Sequence, residues 1–229
     1  MVADFIMTIL AAGSTTLLLA VASLVVATVL GLLAAFAKLS RHGGLRAIAS
    51  VYTFVVRGIP DLVVMLLVFY SLPALLNQTI DSLGIDARVE FSPEVAGTAT
   101  LGLIFGAYMT ETFKSALQGI PKGQIEAAIA YGLSRRRMFW RIILPQMIRL
   151  SLPGFTNNWL VLVKGTALVS LIGLQDVMFR AKGAAEATGK PFNFYLVAAG
   201  FYLFLTLVSL VVLGMVARRY EIGHRELTL

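Results

Sequence analysis

The sequence predicts an all-α membrane protein with five transmembrane helices, and three observations carry that expectation. Of its 229 residues, 58% are hydrophobic and only 14% are charged, whereas a soluble domain carries about 25% charge. The mean hydropathy is +0.84. The apolar residues gather in stretches of spanning length, and the lysines and arginines between them fall mainly on one side. There is no cysteine, so disulfide and thiol chemistry are excluded. His42 and His224 lie in expected loops without a partnering motif. No metal centre is expected from them, and no nucleophile and base cluster within a span.

A helix needs about 20 apolar residues to cross the hydrocarbon core. Phe5 to Ala37 contains no charge and forms the first expected span. Asp4, not a basic residue, precedes it, and the run is longer than a signal core, so it reads as a span rather than a leader. The second span lies within 48–76, interrupted by Arg57, Pro60 and Asp61. The third runs from Val95 to Leu117, the fourth over 150–174 and the fifth over 192–217. Five crossings put the termini on opposite faces. One face then holds Lys38, Arg41 and Arg46, the basic segment 122–149, and Arg218, Arg219 and Arg225. The other holds only Arg88, Arg180, Lys182 and Lys190, among seven acidic residues from Asp4 to Glu186. Basic loops stay in the cytoplasm, which places the N-terminus outside (periplasmic) and the C-terminus inside. That asymmetry accounts for the net charge of +7 without any nucleic-acid partner.

Charges within the spans are candidate functional groups, because each costs roughly 2.5–3.5 kcal/mol at mid-bilayer unless paired or wetted. Arg57 and Asp61 are four apart and could share a helical face, while Gly58 and Pro60 between them break regular helix. The break reads either as internally satisfied or as a substrate site at a discontinuous helix. Glu111 and Lys114 suit a local i,i+3 ion pair, with Glu111 alternatively a counter-charge for a cationic solute. Lys164 lies deep in the fourth span with Asn157 on nearly the same face. It reads equally as a subunit-interface residue or as a carboxylate-binding group. Gly102 and Gly106 form a GxxxG close-packing site, and Trp140 and Trp159 read as interface anchors.

The basic segment 120–147 is the most distinctive stretch. Pro121 suits a first helical turn. Ile125, Ala128, Ile129 and Leu133 form an apolar stripe at helical spacing. Gly132 is a candidate helix end and Ser134 a candidate cap for a second helix running to Pro145. By composition alone, the pair suits anionic membrane lipid as well as it suits a docking protein. The pattern is more specific than that. Glu126-Ala127-Ala128, Gly132 four residues on, then Ile142 and Leu144-Pro145 resemble the EAA signature of permease subunits of bacterial ABC importers. Further stretches extend the likeness: RGIPDLVVMLLVFY (57–70), FGAYMTETFKSAL (105–117), IPKGQIEAAIAYGLS (120–134), LPQMIRLSLPGFTNNWLVLVKGTALVSLIGLQDV (144–177) and RRY (218–220). They are similar to the polar amino acid permeases, nearest the histidine/lysine/arginine/ornithine branch and its arginine and opine relatives.

The resemblance implies a single transmembrane permease domain over 1–229 with the type I ABC importer fold, in the bacterial inner membrane. It implies a coupling role for Glu126, Ala127, Ala128, Gly132 and Leu133. It further implies a second permease subunit, two ATP-binding cassette subunits carrying ATP and Mg, and a periplasmic amino acid-binding protein. The cargo expected is a polar, basic L-amino acid, with a Glu/Gln permease as the alternative. Arg57, Asp61, Glu111, Asn157 and Lys164 are the candidate substrate residues. This chain is expected to carry no cofactor and no ATPase of its own: the one Gly-Lys pair, Gly189-Lys190, is followed by Pro191 and lacks the phosphate-loop spacing. The rival from another class is a standalone channel or ion-coupled carrier.

Overall fold

The structure is a computed structural model, which describes residues 2–221. His224 and Arg225 lie outside the described residues. Within them the chain is all helical. Helix α1 (Val2–Ala11) runs into α2 (Gly13–Leu39) through a helical Ala12, giving one apolar rod from Val2 to Leu39. Helix α3 (Gly43–Gly58) ends at Ile59–Pro60, both extended. There Pro60 removes a donor and biases the residue before it away from helix. The chain restarts as α4 (Asp61–Leu66), widens through a π turn at Leu67–Ser71 and continues as α5 (Leu72–Ser82). The second expected span is therefore two rods, and the long apolar one is Asp61–Ser82. Asn77 pins the following loop by exchanging two hydrogen bonds with the Val89 backbone, at 2.9 and 2.7 Å.

Helix α6 (Pro93–Gln118) is capped by Ser92 and occupies the centre. It buries Leu101, Ile104, Phe105, Met109 and Phe113 against α2 and against the later helix Leu144–Gly165. The glycines at 102 and 106 permit the close approach expected of them. An added Cβ at Gly106 would stand 2.8 Å from the Tyr52 hydroxyl and 3.1 Å from Leu30 Cβ, and one at Gly102 would collide with Val26. Tyr52 then donates to the Leu103 carbonyl at 2.6 Å, drawing α3 onto the same helix. Among the described residues, four segments are long and apolar enough to cross a membrane: Val2–Leu39, Asp61–Ser82, Arg135–Ile172 and Pro191–Tyr220. Helix α6, which covers the third span expected from the sequence, is not among them. Protein covers its surface, so its glycines and threonines serve packing rather than contact with hydrocarbon.

After α6 come α7 (Lys122–Ala130), α8 (Arg135–Met138), a π turn at Phe139–Ile143, α9 (Leu144–Gly165), a 3₁₀ turn at Thr166–Ile172, α10 (Val177–Thr188) and α11 (Pro191–Glu221). Gly189 closes α10 with φ +67, which makes the Gly-Lys pair a helix end. Trp159 does not anchor an interface: it is 8% exposed within the core, whereas Trp140 is 60% exposed.

Candidate functional site

The segment after α6 forms a small-faced projection. Pro121 takes an extended conformation just ahead of α7 rather than entering its first turn. Only Ala128 of the expected stripe is fully buried, and Ile129 is turned out at 62% exposure. The helix end is fixed by Gly132, whose φ of +69 is cheap only without a Cβ. Gly132 N–H donates to Ile129 O at 2.9 Å and Leu133 N–H to Ala128 O at 3.0 Å. This double closure satisfies carbonyls that would otherwise be orphaned. Ser134 caps the next turn, accepting from Arg137 N–H at 3.5 Å.

The second helix does not stop at Pro145. The π turn at Phe139–Ile143 precedes it, and Pro145 falls in the first turn of α9. A widened turn absorbs the missing donor and the ring of proline, so α8 and α9 continue as one rod. Gln146 Nε2 donates to Gln124 Oε1 at 2.6 Å, tying this rod to α7. Between them lies an open groove of about 410 Å³ lined by Ala127, Ala128, Tyr131, Leu133 and Arg141 among others. Glu126, Ala127 and Gly132 are exposed. The segment thus offers a rigid, thin surface with Tyr131 85% exposed at its tip.

The charged residues within the helices sort into three settings. Glu111 bridges two lysines: Lys38 Nζ lies 2.5 Å from Oε1 and Lys114 Nζ 3.6 Å from Oε2. The i,i+3 partner was legible in the sequence, but Lys38, 73 residues away, was not. Arg57 lies in the last turn of α3, with its guanidinium 5.2 Å from the centre of the Tyr108 ring, and it adds a third positive charge around Glu111. Arg57 and Asp61 do not pair, because the Ile59–Pro60 break destroys the i,i+4 geometry that the spacing suggested. Asp61 opens α4, where a carboxylate is favoured, and it makes no ion pair with any described residue.

Asn157 and Lys164 are both exposed on α9, and neither has a side-chain partner among the described residues. The residue beside them turns inward: Asn158 Nδ2 donates to Thr112 Oγ1 at 3.0 Å, joining α9 to α6. Sequence reasoning missed Asn158. In a helix only the phase of burial separates adjacent asparagines, and Trp159, buried one residue later, is the signal that could have marked it.

The chain is similar to several known proteins. It is 48% identical over 218 residues to the histidine/lysine/arginine/ornithine transport system permease protein HisQ of Salmonella typhimurium, covering 95% of each chain. It is 39% identical to the octopine transport system permease protein OccQ of Rhizobium radiobacter, covering 87% of this chain and 84% of that one. It is also 39% identical to the arginine ABC transporter permease protein ArtQ of Haemophilus influenzae, covering 92% of both. Among solved structures, an amino acid ABC transporter crystallised with histidines matches with a TM-score of 0.80, 27% identity and coverage of 95% of this chain and 96% of that one. The inward-facing MetNI methionine ABC transporter matches with a TM-score of 0.69, 18% identity and coverage of 93% and 96%, a likeness of fold alone. Residues 27–222 match the model of the binding-protein-dependent transport system inner membrane component; with the apolar rods and the projecting α7, the chain belongs to that family of inner-membrane permeases.

Proposed function

We propose that this chain is one permease subunit of an ATP-driven importer for basic L-amino acids such as arginine, lysine, histidine and ornithine, or for opines. The substrates named for the similar HisQ, OccQ and ArtQ proteins support this. In this reading α6 is a fifth crossing, with its neighbours rather than lipid around it. The N-terminus is then periplasmic and the C-terminus cytoplasmic, as the basic loops favour. A related or identical permease subunit completes the pathway, a periplasmic binding protein delivers the amino acid, and two ATP-binding cassette subunits hydrolyse ATP with Mg.

The observation that carries the reading is the projection at α7, where exposed Glu126, Ala127 and Gly132 flank the anchoring Ala128 and Leu133. Rigid closure at Gly132 lets a force applied to α7 reach α6 and α9 instead of dissipating in a loop. Of the candidate substrate residues, Asp61 is the better carboxylate for a cationic side chain, because Glu111 already faces two lysines. Arg57 on α3, or Asn157 and Lys164 on one face of α9, offer cationic and amide groups for the α-carboxylate. ATP closure moves solute only if the pathway binds it unequally in its two states.

The test is uptake by the reconstituted complex. Gly132→Val and Glu126→Trp should insert normally yet abolish ATP-dependent uptake; normal uptake in both sinks the coupling role. Asp61→Asn should weaken uptake of arginine and lysine relative to neutral amino acids. Preference for glutamate or glutamine by the parent complex would overturn the substrate assignment. Uptake by the chain alone without ATP would favour a channel or carrier.

A further inference from the structure

At the end of the bundle nearest α7, a groove of about 270 Å³ runs between α9 and α11. On α9 it is lined by Arg149, Leu152, Pro153 and Thr156, one helical stripe at i, i+3, i+4 and i+7. Leu210, Leu213, Gly214 and Ala217 of α11 form the opposite wall. Gly214 leaves that wall open, since an added Cβ there would meet nothing within 4 Å. The groove opens onto an exposed apolar face of α11. Leu203, Phe204, Val211 and Met215 of α11 are 61%, 66%, 63% and 60% exposed, and no charged side chain interrupts them. Asn157 and Lys164 lie at one edge of this stripe, Asn157 four residues after Pro153, and neither lines the groove.

The mouth of the groove is cationic. Arg149 is half-buried there and makes no ion pair with any described residue. Arg218 and Arg219 follow Ala217 in the last turn of α11. A guanidinium without a carboxylate, set above an apolar channel at the edge of the hydrocarbon, matches a phosphodiester joined to an acyl chain. The planar fork of arginine suits phosphate oxygens, and basic pockets between membrane helices recruit anionic headgroups.

We propose that the α9–α11 groove binds one anionic phospholipid from the leaflet beside α7. Its phosphate rests on Arg149 with Arg218 adding charge, and one acyl chain lies against Leu152, Leu210, Leu213 and Gly214. The site holds the start of α9, which continues directly from the π turn after α8, against α11.

The test is native mass spectrometry of the full chain in mild detergent, with added phosphatidylglycerol or phosphatidylcholine. The parent should retain phosphatidylglycerol at least about fivefold better, the factor expected for one arginine near the surface. Arg149→Gln should bring that ratio near one, and Arg149→Lys should keep part of it. Gly214→Leu, which fills the groove, should lower retention of both lipids. Arg41→Gln, in another loop, should change nothing. Glycerol phosphate, a headgroup without chains, should not displace the lipid. Equal phosphatidylglycerol retention by the parent, Arg149→Gln and Gly214→Leu overturns the proposal. So does displacement by glycerol phosphate alone, or disulfide capture of a second permease chain by Gly214→Cys in native membranes. A loss in Arg149→Gln caused by misfolding would be shared by Arg149→Lys, whereas retention by the lysine variant supports the site.

Discussion

Replacing Asp176 with asparagine probes a buried charge outside the apolar segments. Asp176 lies between Arg135–Ile172 and Pro191–Tyr220, and its residue is 0% exposed. Oδ1 accepts from Phe179 N–H at 2.8 Å as the cap of α10, while Oδ2 has no hydrogen-bond partner among the described residues. Burial pushes the carboxyl from 3.8 up to about 6, against the backbone N–H groups of Phe179 and Met178, which pull it back. Between about pH 4 and 6 the folded chain therefore keeps a proton that the unfolded chain has lost. The folded state binds more protons, so stability falls as pH rises through that window and stays low above it. Raising the carboxyl from 3.8 to about 6 makes the loss about 3 kcal/mol. Asp176→Asn retains the acceptor for Phe179 and carries no charge. Thermal midpoints of the purified chain in a neutral detergent, from pH 4 to 7.5, should fall for the parent and stay level for the variant. Parallel pH slopes for the two proteins would refute the assignment.

Three further outcomes follow from the packing. Lys38→Met leaves Glu111 with the Lys114 ion pair at 3.6 Å and the more distant charge of Arg57; because Glu111 is 31% exposed, the cost is about 1–2 kcal/mol rather than that of a fully buried pair. The double variant Lys38→Met/Glu111→Leu should recover much of the lost thermal midpoint, and additive losses would show that the two residues are not coupled. Gly106→Leu drives a side chain into Tyr52 and Leu30 and should cost about 1–3 kcal/mol or more, seen as a lower yield of monodisperse protein, while Gly44→Ala, which meets nothing within 4 Å, should be tolerated. Asn158→Leu removes the 3.0 Å bond to Thr112 and should lower stability by about 1 kcal/mol, whereas Asn157→Leu should leave the isolated chain's midpoint unchanged.

Much of this protein was legible in its sequence, because local chemistry writes it there. Apolar runs of spanning length, Gly132 as a helix end, Ser134 as a cap and the Gly102/Gly106 packing pair are all short-range requirements of the backbone or of hydrocarbon. The EAA stretch is local in the same sense, since a glycine-closed helix needs only its own residues. Helix continuity through Pro145 was not legible, because a π turn is a compromise between a proline ring and the pull of neighbouring helices. Nor was the separation of Arg57 from Asp61, since spacing describes an unbroken helix and Ile59–Pro60 ends it.

What the amino-acid order alone determined was the membrane class, most of the apolar runs and the glycine-closed end of α7, each set by interactions within a few residues. Only the tertiary structure decided that Lys38 meets Glu111, that Asn158 rather than Asn157 turns inward, and that α6 is shielded by protein. Those depend on which helices lie side by side, and burial of complementary faces between distant segments settles that.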